Sequence, residues 1–243
     1  MMSRKILFLH GYTQSGELFY KKTSALRKNL LKVGGYTTFF PTAPIKLSAP
    51  DPADPEERAS IQSQGIGDDS YGWWTKDNVT GEFLGIDLSW NYLKGYIEKE
   101  GPFDGVIGFS QGAAMAGMLC TELKSLVPEH PALKFAVLYS GFRSVLKEHD
   151  HNYPITTRTL HVLGSLDTVV SEERSAALVE ACDKSTRTVY RHPGGHFVPS
   201  SKESLATVVG WIQNAVKEEE ERDGESEGDG WESEEFDGIG GGM

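Results

Sequence analysis

Three residues whose types support nucleophilic acyl transfer occur in the chain order serine, aspartate, histidine, namely Ser110, Asp167 and His196. Ser110 is the centre of residues 108–112, which read GFSQG and fit the pattern G-x-S-x-G. A serine hydroxyl is a poor nucleophile at neutral pH, and a histidine in contact with it can remove its proton. A carboxylate bonded to that histidine fixes the imidazole tautomer and stabilises the imidazolium. Together these groups would cleave esters through a covalent acyl intermediate.

The residues around Ser110 predict a sharp turn between a strand and a helix, the arrangement called a nucleophile elbow. An apolar strand-like run precedes the turn, and a helix-like run of small residues follows it. Because strand and helix pass close together there, Gly108 and Gly112 fit where a Cβ would clash. The N–H groups that begin the helix face any negative charge beside Ser110. We therefore predict that the backbone N–H of Gln111 is one oxyanion donor.

A short motif alone arises easily by chance, so Ser110 needs an acid and a base elsewhere in the sequence to be interpreted as a nucleophile. We expect these partners at the ends of other strands. Asp167 and His196 follow the fifth and sixth predicted strands, and residues 10–16, HGYTQSG, follow the first. In a parallel sheet these ends meet at one edge, where the chemistry gathers. The backbone N–H of Tyr12 is the second candidate oxyanion donor, and each such donor is typically worth about 10²–10³ in rate. His10 is expected to order this loop.

The serine and the acid each have an alternative interpretation. Ser110 could be an ordinary turn serine. Asp167 could cap the helix predicted to begin at residue 171. In that case Asp183 or Asp150 would supply the carboxylate.

The base also has a rival, His192, which lies four residues before His196. The glycines at 194–195 favour His196, because a mobile glycine loop lets the imidazole reach the serine. His161 lies within a predicted strand and is interpreted as a packed histidine.

Strand-like runs alternate with helical spacings from residue 5 to residue 216. The predicted strands are residues 5–9, 36–40, the apolar run at 106–107, 134–139, 159–163 and 186–190. The predicted helices are residues 17–33, 86–99, 111–125, 171–182 and 202–216. This alternation predicts an α/β domain over residues 1–216, with an open, mostly parallel sheet of about six strands and helices on both faces.

Residues 41–85 form a proline-rich stretch that interrupts this alternation and ends in the aromatic run 71–74, YGWW. Long insertions of this kind are typically lids or binding loops. We predict a loop or small cap over the site. Tyr71, Trp73, Trp74 and Phe197 are candidates for the substrate pocket, because such pockets are lined by apolar and aromatic side chains. In the alternative, Trp73 and Trp74 only pack the insertion onto the body.

The net charge of −11 is concentrated at the C-terminus. Residues 217–243 hold twelve acidic residues against Lys217 and Arg222, so the remaining body is nearly neutral. Neither part has the basic patch that nucleic-acid binding requires. The tail is expected to be solvated and disordered. Its aromatic part, around residues 231–239, supports an alternative in which the tail docks on the body or on a protein partner.

The cysteine count and the N-terminus favour a cytoplasmic location, with the nucleus as an alternative. Two cysteines, Cys120 and Cys182, do not suggest a disulfide framework, and neither lies at a strand-to-helix turn where it could replace Ser110. The apolar run at residues 6–9 is too short for a signal-peptide core and is predicted to be a strand. No apolar run approaches the length of a membrane span.

Five motifs together resemble the α/β-hydrolases, and specifically the serine hydrolase family described in yeast. They are residues 8–12 (FLHGY), 71–74 (YGWW), 108–112 (GFSQG), 163–167 (LGSLD) and 194–196 (GGH). The resemblance spans most of the body and does not extend to the acidic tail. A more distant resemblance is to carboxylesterases and acyl-protein thioesterases. The resemblance implies an α/β-hydrolase fold and hydrolysis of acyl esters without a cofactor or a metal.

Three functions follow as hypotheses. The first is a serine esterase that cleaves acyl esters, lysolipids among them, through an acyl-enzyme. The second is an acyl-protein or acyl-CoA thioesterase, because the same triad serves both reactions. The third is a non-catalytic binding protein, since the fold alone does not give the function. No feature of the sequence indicates whether the protein is a monomer or an oligomer.

Overall fold

The computed structural model describes residues 4–47, 69–77, 79–80, 82–144 and 153–228. The strands are β1 (Lys5–Leu9), β2 (Thr37–Phe39), β3 (Ile45–Lys46), β4 (Tyr71–Gly72), β5 (Thr75–Lys76), β6 (Phe83–Leu84), β7 (Gly105–Phe109), β8 (Phe135–Tyr139), β9 (Thr159–Gly164) and β10 (Arg187–His192). The helices are α1 (Gly16–Lys22), α2 (Ser24–Gly34), α3 (Ile86–Glu100), α4 (Gln111–Leu126), α5 (Glu172–Glu180) and α6 (Lys202–Gly228).

Six strands form one parallel sheet in the order β10-β9-β8-β7-β1-β2. This confirms the predicted open sheet of about six parallel strands. In register, Leu9 at the end of β1 pairs with Gly108 of β7, and Phe109 pairs with Tyr139 of β8. The loops that follow these strands therefore open at the same carboxyl edge.

Apolar side chains cover both faces of the sheet, which is why helices lie on both. Strands β7 and β8 are buried along their whole length, as expected for central parallel strands. One core packs the sheet against α3 and α4, with Leu93 and Met115 among its members. The other packs it against α2 and α6, with Leu30 and Ile212 among its members.

The two glycines beside Ser110 are required by close packing, as predicted. A Cβ on Gly112 would collide with the carbonyl oxygens of Leu9 and His10, and a Cβ on Gly108 would collide with the backbone of α4. The start of α4 can therefore press directly against β1 and β7, which positions the turn between them.

Two helices differ from the prediction. The expected helix over residues 17–33 is divided at Thr23, whose backbone leaves helical geometry while its hydroxyl donates to the Phe19 carbonyl. Local hydroxyl-to-backbone bonds of this kind compete with helix continuation. The last helix, expected to end at residue 216, continues to Gly228.

The extension of α6 is held by ion pairs at the amino edge of the sheet. Glu220 bonds to Arg4 and Lys134 at 3.2 and 3.1 Å, and Arg158 bonds to Glu219 at 2.9 Å. Arg4, Lys134 and Arg158 each directly precede a strand of the sheet. The first residues of the acidic tail are thus part of the body, whereas the aromatic residues around 231–239 lie outside the described residues.

The described ends of the insertion form two short antiparallel pairs, β3 with β4 and β5 with β6. Residues 48–68 of the insertion, which carry several of its prolines, lie outside the described residues. No helix in the described part of the chain has the length and apolar character needed to cross a membrane.

Candidate active site

Ser110 lies at the turn between β7 and α4 in a backbone conformation that side-chain-bearing residues rarely adopt. Its φ of 54° and ψ of −116° lie outside the favoured regions, so the turn is strained. The turn is held because the Ser110 N–H donates to the Tyr139 carbonyl at 2.8 Å. The Ser110 carbonyl in turn accepts from the N–H groups of Ala113 and Ala114 at 3.0 Å. Strain kept in place by surrounding bonds is common at sites of chemistry.

His196 lies between Ser110 and Asp167. Its Nε2 is 3.1 Å from the Ser110 hydroxyl oxygen, and its Nδ1 is 2.8 Å from Oδ2 of Asp167. An ionised carboxylate only accepts hydrogen bonds, so Nδ1 carries a proton and Nε2 of the neutral ring can accept the serine proton. The ring also lies against Phe109, with centroids 4.9 Å apart. The structure thus brings together the three residues singled out in the sequence.

Asp167 is held as a carboxylate by its hydrogen bonds. Burial alone would raise the pKa of Asp167, but bonds from the Val170 N–H, from His196 and from the Val169 N–H outweigh it and lower that pKa. Oδ1 accepts the two backbone bonds at 3.0 and 2.9 Å, which leaves Oδ2 for the imidazole. These two N–H groups precede the helix α5, whose N-cap residue is Ser171, so Asp167 orders the turn before the helix and does not cap it.

The rivals of Asp167 and His196 that the structure describes make other hydrogen bonds. Asp183 bonds to the N–H and hydroxyl of Ser185, and Asp150 lies outside the described residues. His192 is buried at the end of β10, where its Nδ1 accepts from the Gly194 N–H at 3.2 Å.

His161 is a packed histidine, as expected, and neither cysteine forms a disulfide. His161 is buried within β9, and burial lowers its pKa to about 4. Cys120 lies inside α4, where burial raises its pKa to about 12 and keeps the thiol protonated. Cys120 and Cys182 are both free cysteines.

His10 orders the loop after β1, as predicted. Its Nε2 accepts from the Ala43 N–H at 2.9 Å, and its Nδ1 lies 2.8 Å from the Gly11 carbonyl oxygen. Burial lowers the pKa of His10 to about 4, so the ring is neutral. The Trp73 indole N–H donates to the His10 carbonyl at 2.9 Å, which ties the insertion to this loop.

The side chain of Gln111 has a role that sequence reasoning missed. Its Oε1 accepts from the Trp73 N–H at 2.8 Å, and its Nε2 donates to the Trp74 carbonyl at 2.8 Å. The Trp73 carbonyl accepts from the Ser89 hydroxyl of α3. The one available signal was an amide side chain at the start of a helix whose next nine residues, 112–120, are all small or apolar.

The two candidate oxyanion donors both lie at the carboxyl edge of the sheet. Gln111 is the first residue of α4, so its N–H has no acceptor within the helix. Tyr12 lies in the loop after β1, the strand adjacent to β7. Gly72 packs so closely on this loop that a Cβ there would touch the Tyr12 ring.

A cavity of about 570 Å³ opens beside Ser110. Its described lining includes Tyr12, Gln14, Phe19, Lys22, Val169 and Phe197. Of the predicted pocket residues, Phe197 lies in this lining, whereas Tyr71, Trp73 and Trp74 do not. Trp73 and Trp74 are 0% and 6% exposed and pack the insertion into the core, in agreement with the packing alternative.

Comparison with known proteins agrees with the geometry. Residues 1–208 match the family described as serine hydrolase (FSH1). Family of serine hydrolases 3 of Saccharomyces cerevisiae is 38% identical over 89% of this chain and 86% of its own length. Esterase OVCA2 of Danio rerio is 38% identical over 86% of this chain and 96% of its own length.

Solved structures show the same fold at low identity. The chain is similar to Zea mays acyl-protein thioesterase 2, with a TM-score of 0.59 and 19% identity over 89% of this chain and 95% of that one. It is also similar to esterase PE8, with a TM-score of 0.60 and 18% identity over 88% of this chain and 93% of that one. The α/β-hydrolase fold is thereby confirmed. The chain belongs to the FSH1 serine hydrolase family and is an esterase-type hydrolase.

Proposed function

We propose that this hydrolase cleaves carboxylic esters of acyl chains by a Ser110–His196–Asp167 triad. The observation that carries the proposal is the continuous hydrogen-bond chain from the Ser110 hydroxyl through His196 to Asp167, at 3.1 and 2.8 Å. Those distances are within the reach that proton transfer requires.

The first half of the reaction acylates Ser110. His196 Nε2 takes the hydroxyl proton as Oγ attacks the ester carbonyl carbon, and Asp167 stabilises the imidazolium through Nδ1–H. The carbonyl π electrons move to oxygen, and the N–H groups of Gln111 and Tyr12 are the proposed donors to that oxyanion. When the intermediate collapses, the C–O bond to the alcohol breaks and His196 protonates the leaving oxygen.

The second half returns the enzyme to its starting state. Water loses a proton to His196 and attacks the acyl carbon, which forms a second oxyanion in the same place. Collapse breaks the bond to Ser110 Oγ and returns the proton from His196 to that oxygen. The carboxylic acid then leaves.

The cavity supports acyl chains, including those of lysolipids, as the substrate class. Aromatic and branched side chains form much of its described lining, with Phe19, Val169 and Phe197 among them. Apolar lining with a few placed polar groups is typical of sites that bind small molecules.

A thioesterase acting on acyl-proteins or acyl-CoA is the second candidate. It is favoured by the fold shared with Zea mays acyl-protein thioesterase 2, and the proposed triad chemistry also serves thioester cleavage. A chain-length series of p-nitrophenyl esters compared with matching acyl-CoAs decides between the two. Higher kcat/KM for the oxygen esters supports the esterase.

A fluorophosphonate probe tests the nucleophile. We expect it to label the folded protein and to fail on Ser110→Ala. If folded wild-type protein is neither labelled nor active on any ester, the non-catalytic binding function replaces the proposal.

A cytoplasmic location also stays a prediction, which imaging of the fluorescently tagged full chain tests.

A further inference from the structure

Backbone hydrogen bonds join the loop that carries the base to the loop that carries the acid. The Leu166 N–H donates to the Gly194 carbonyl at 3.0 Å, and the Ser165 N–H donates to the His192 carbonyl at 2.9 Å. Asp167 directly follows Leu166, and the base follows Gly194 by two positions. The distance between acid and base therefore depends on the conformation of the short chain after His192.

The imidazole of His192 is buried against this loop on both sides of the base. Its Nδ1 accepts from the Gly194 N–H at 3.2 Å. A Cβ on Gly194 would lie 3.0 Å from the same nitrogen, so the glycine packs directly on the ring. The ring also contacts Phe197, with centroids 5.3 Å apart and an interplanar angle of 61°. His196 lies between Gly194 and Phe197 in the chain, so one side chain supports both flanks of the base.

The hydrogen bonding of His192 fixes its protonation state. Nδ1 accepts from an N–H, so the proton of the neutral ring lies on Nε2. Nε2 is buried and has no hydrogen-bond partner among the described residues, which leaves the bond to the loop as the one that orients the ring. Burial lowers the pKa of His192, although Asp167 acts in the opposite direction. The ring is therefore neutral at neutral pH, and Nδ1 is able to accept.

We propose that His192 is a positioning residue for His196, an inference that rests on the proposed triad mechanism. Residues 194–195 are glycines, which tolerate many backbone conformations, so this loop needs a restraint from outside. The Nδ1 of His192 supplies that restraint by fixing the direction of the Gly194 N–H. The His196 imidazole is thereby kept where its Nε2 lies 3.1 Å from the Ser110 hydroxyl oxygen. His192 acts through the backbone and exchanges no proton with the substrate.

Three substitutions at position 192 test this role with a short p-nitrophenyl ester. His192→Leu keeps an apolar side chain against Phe197 but removes the acceptor, so kcat should fall by about tenfold with little change in KM. His192→Asn should stay within about threefold of the wild type, because an asparagine oxygen can bond the N–H two residues on. His192→Gln places its oxygen one bond further from the backbone, so its kcat should resemble that of His192→Leu.

His161→Leu is the matched control. His161 is a buried histidine within the adjacent strand β9, and its Nε2 also has no hydrogen-bond partner among the described residues. Its loss should leave kcat at the wild-type value at a temperature where both proteins are folded. An equal loss of kcat in His161→Leu and His192→Leu, or no rescue by His192→Asn, overturns the inference.

A double variant separates positioning of the base from a general loss of structure. His196→Ala removes the base, and loss of one triad member typically leaves about 10³-fold catalysis over water, which an activated ester makes measurable. In that background His192→Leu should cause no further loss of kcat, because no imidazole is left to position. If the two losses multiply, His192 does not act through His196 and the inference is wrong.

These outcomes are separable from failure of the proposed function. If esters are hydrolysed by the wild type and not by Ser110→Ala, and His192→Leu keeps the wild-type kcat, only this inference is wrong. If folded wild-type protein hydrolyses no ester, the proposed function is wrong and this inference fails with it.

Discussion

The side-chain oxygen of Gln111 accepts a hydrogen bond from the backbone N–H of Trp73 at 2.8 Å. Gln111 directly follows Ser110, and Trp73 belongs to the insertion, so this bond joins the proposed oxyanion donor to the segment that packs beside it. The Gln111 amide also bonds to the Trp74 carbonyl. The insertion therefore holds the start of α4 through a buried amide.

We expect Gln111→Ala to lower kcat more than it raises KM. The variant keeps the backbone N–H but frees the first turn of α4, and small misplacements at a reacting centre can cost up to about 10² in rate. It also leaves the Trp73 N–H and the Trp74 carbonyl buried without partners, which costs about 1–3 kcal/mol each. Steady-state kinetics at a temperature where the variant is folded, together with urea unfolding, measures both effects.

Gln111→Glu is the matched comparison. It keeps an acceptor for Trp73 but places a buried carboxylate against the Trp74 carbonyl and beside the oxyanion, so its kcat should fall below that of Gln111→Ala. Unchanged kcat in both variants would contradict a positioning role.

Substitutions in the proposed triad should be strongly non-additive. Ser110→Ala and His196→Ala should each lower kcat by about 10⁴–10⁶, because either one removes the covalent route. Asp167→Asn should cost about 10⁴, through the wrong imidazole tautomer. The double variant Ser110→Ala with His196→Ala should be no slower than the slower single variant. If the loss of kcat in the double variant equals the product of the two single losses, the two residues act independently.

The stability of the protein should fall steeply as the pH drops from about 6.5 towards about 4. His10 and His161 have folded-state pKa values of about 4, below the ordinary 6.5, so the unfolded chain binds protons in this window while the folded chain does not. Stability is therefore fully present above pH 6.5 and is lost on acidification. Each histidine should remove about 2 kcal/mol from the free energy of unfolding at pH 5.

His161→Leu separates this effect from other acid-sensitive groups, because it removes one of the two histidines away from the reacting groups. Urea unfolding at pH 7 and pH 5 should show a smaller difference in the variant by about 2 kcal/mol. An identical pH dependence in wild type and variant would show that His161 is not the source.

The end of α6 should contribute to stability although its composition resembles a solvated tail. A chain ending at residue 216 loses Glu219, which is 7% exposed, and leaves Arg158 without that partner. We expect it to lose about 1–3 kcal/mol in the free energy of unfolding. Urea unfolding of the truncated and full chains measures this.

A chain ending at Gly228 is the control for that truncation, because it keeps the ion pairs that the described residues of α6 make with Arg4, Lys134 and Arg158. It should match the full chain. If it is less stable than the full chain, the aromatic part of the tail docks on the body, as the alternative interpretation of the tail holds.

The parallel sheet and the positions of Ser110, Asp167 and His196 were predictable because each follows a strand, and parallel strands bring their ends to one edge. The binding of Gln111 to the insertion was not predictable, because it depends on two segments about forty residues apart in sequence meeting in space. The length of α6 was underestimated for a similar reason. A run of glutamates is typical of a solvated segment. Its basic partners Arg4, Lys134 and Arg158 are distant in sequence and lie beside it only in the folded chain.

The ion pairs of α6 also determine at which end of the molecule a second protein can be attached. Arg4, Lys134 and Arg158 precede their strands, whereas Ser110, Asp167 and His196 follow theirs. The last helix therefore ends at the pole opposite the substrate entrance. A second protein attached directly after Gly228 would begin at that pole, so it could couple another activity to the hydrolase without obstructing the substrate entrance.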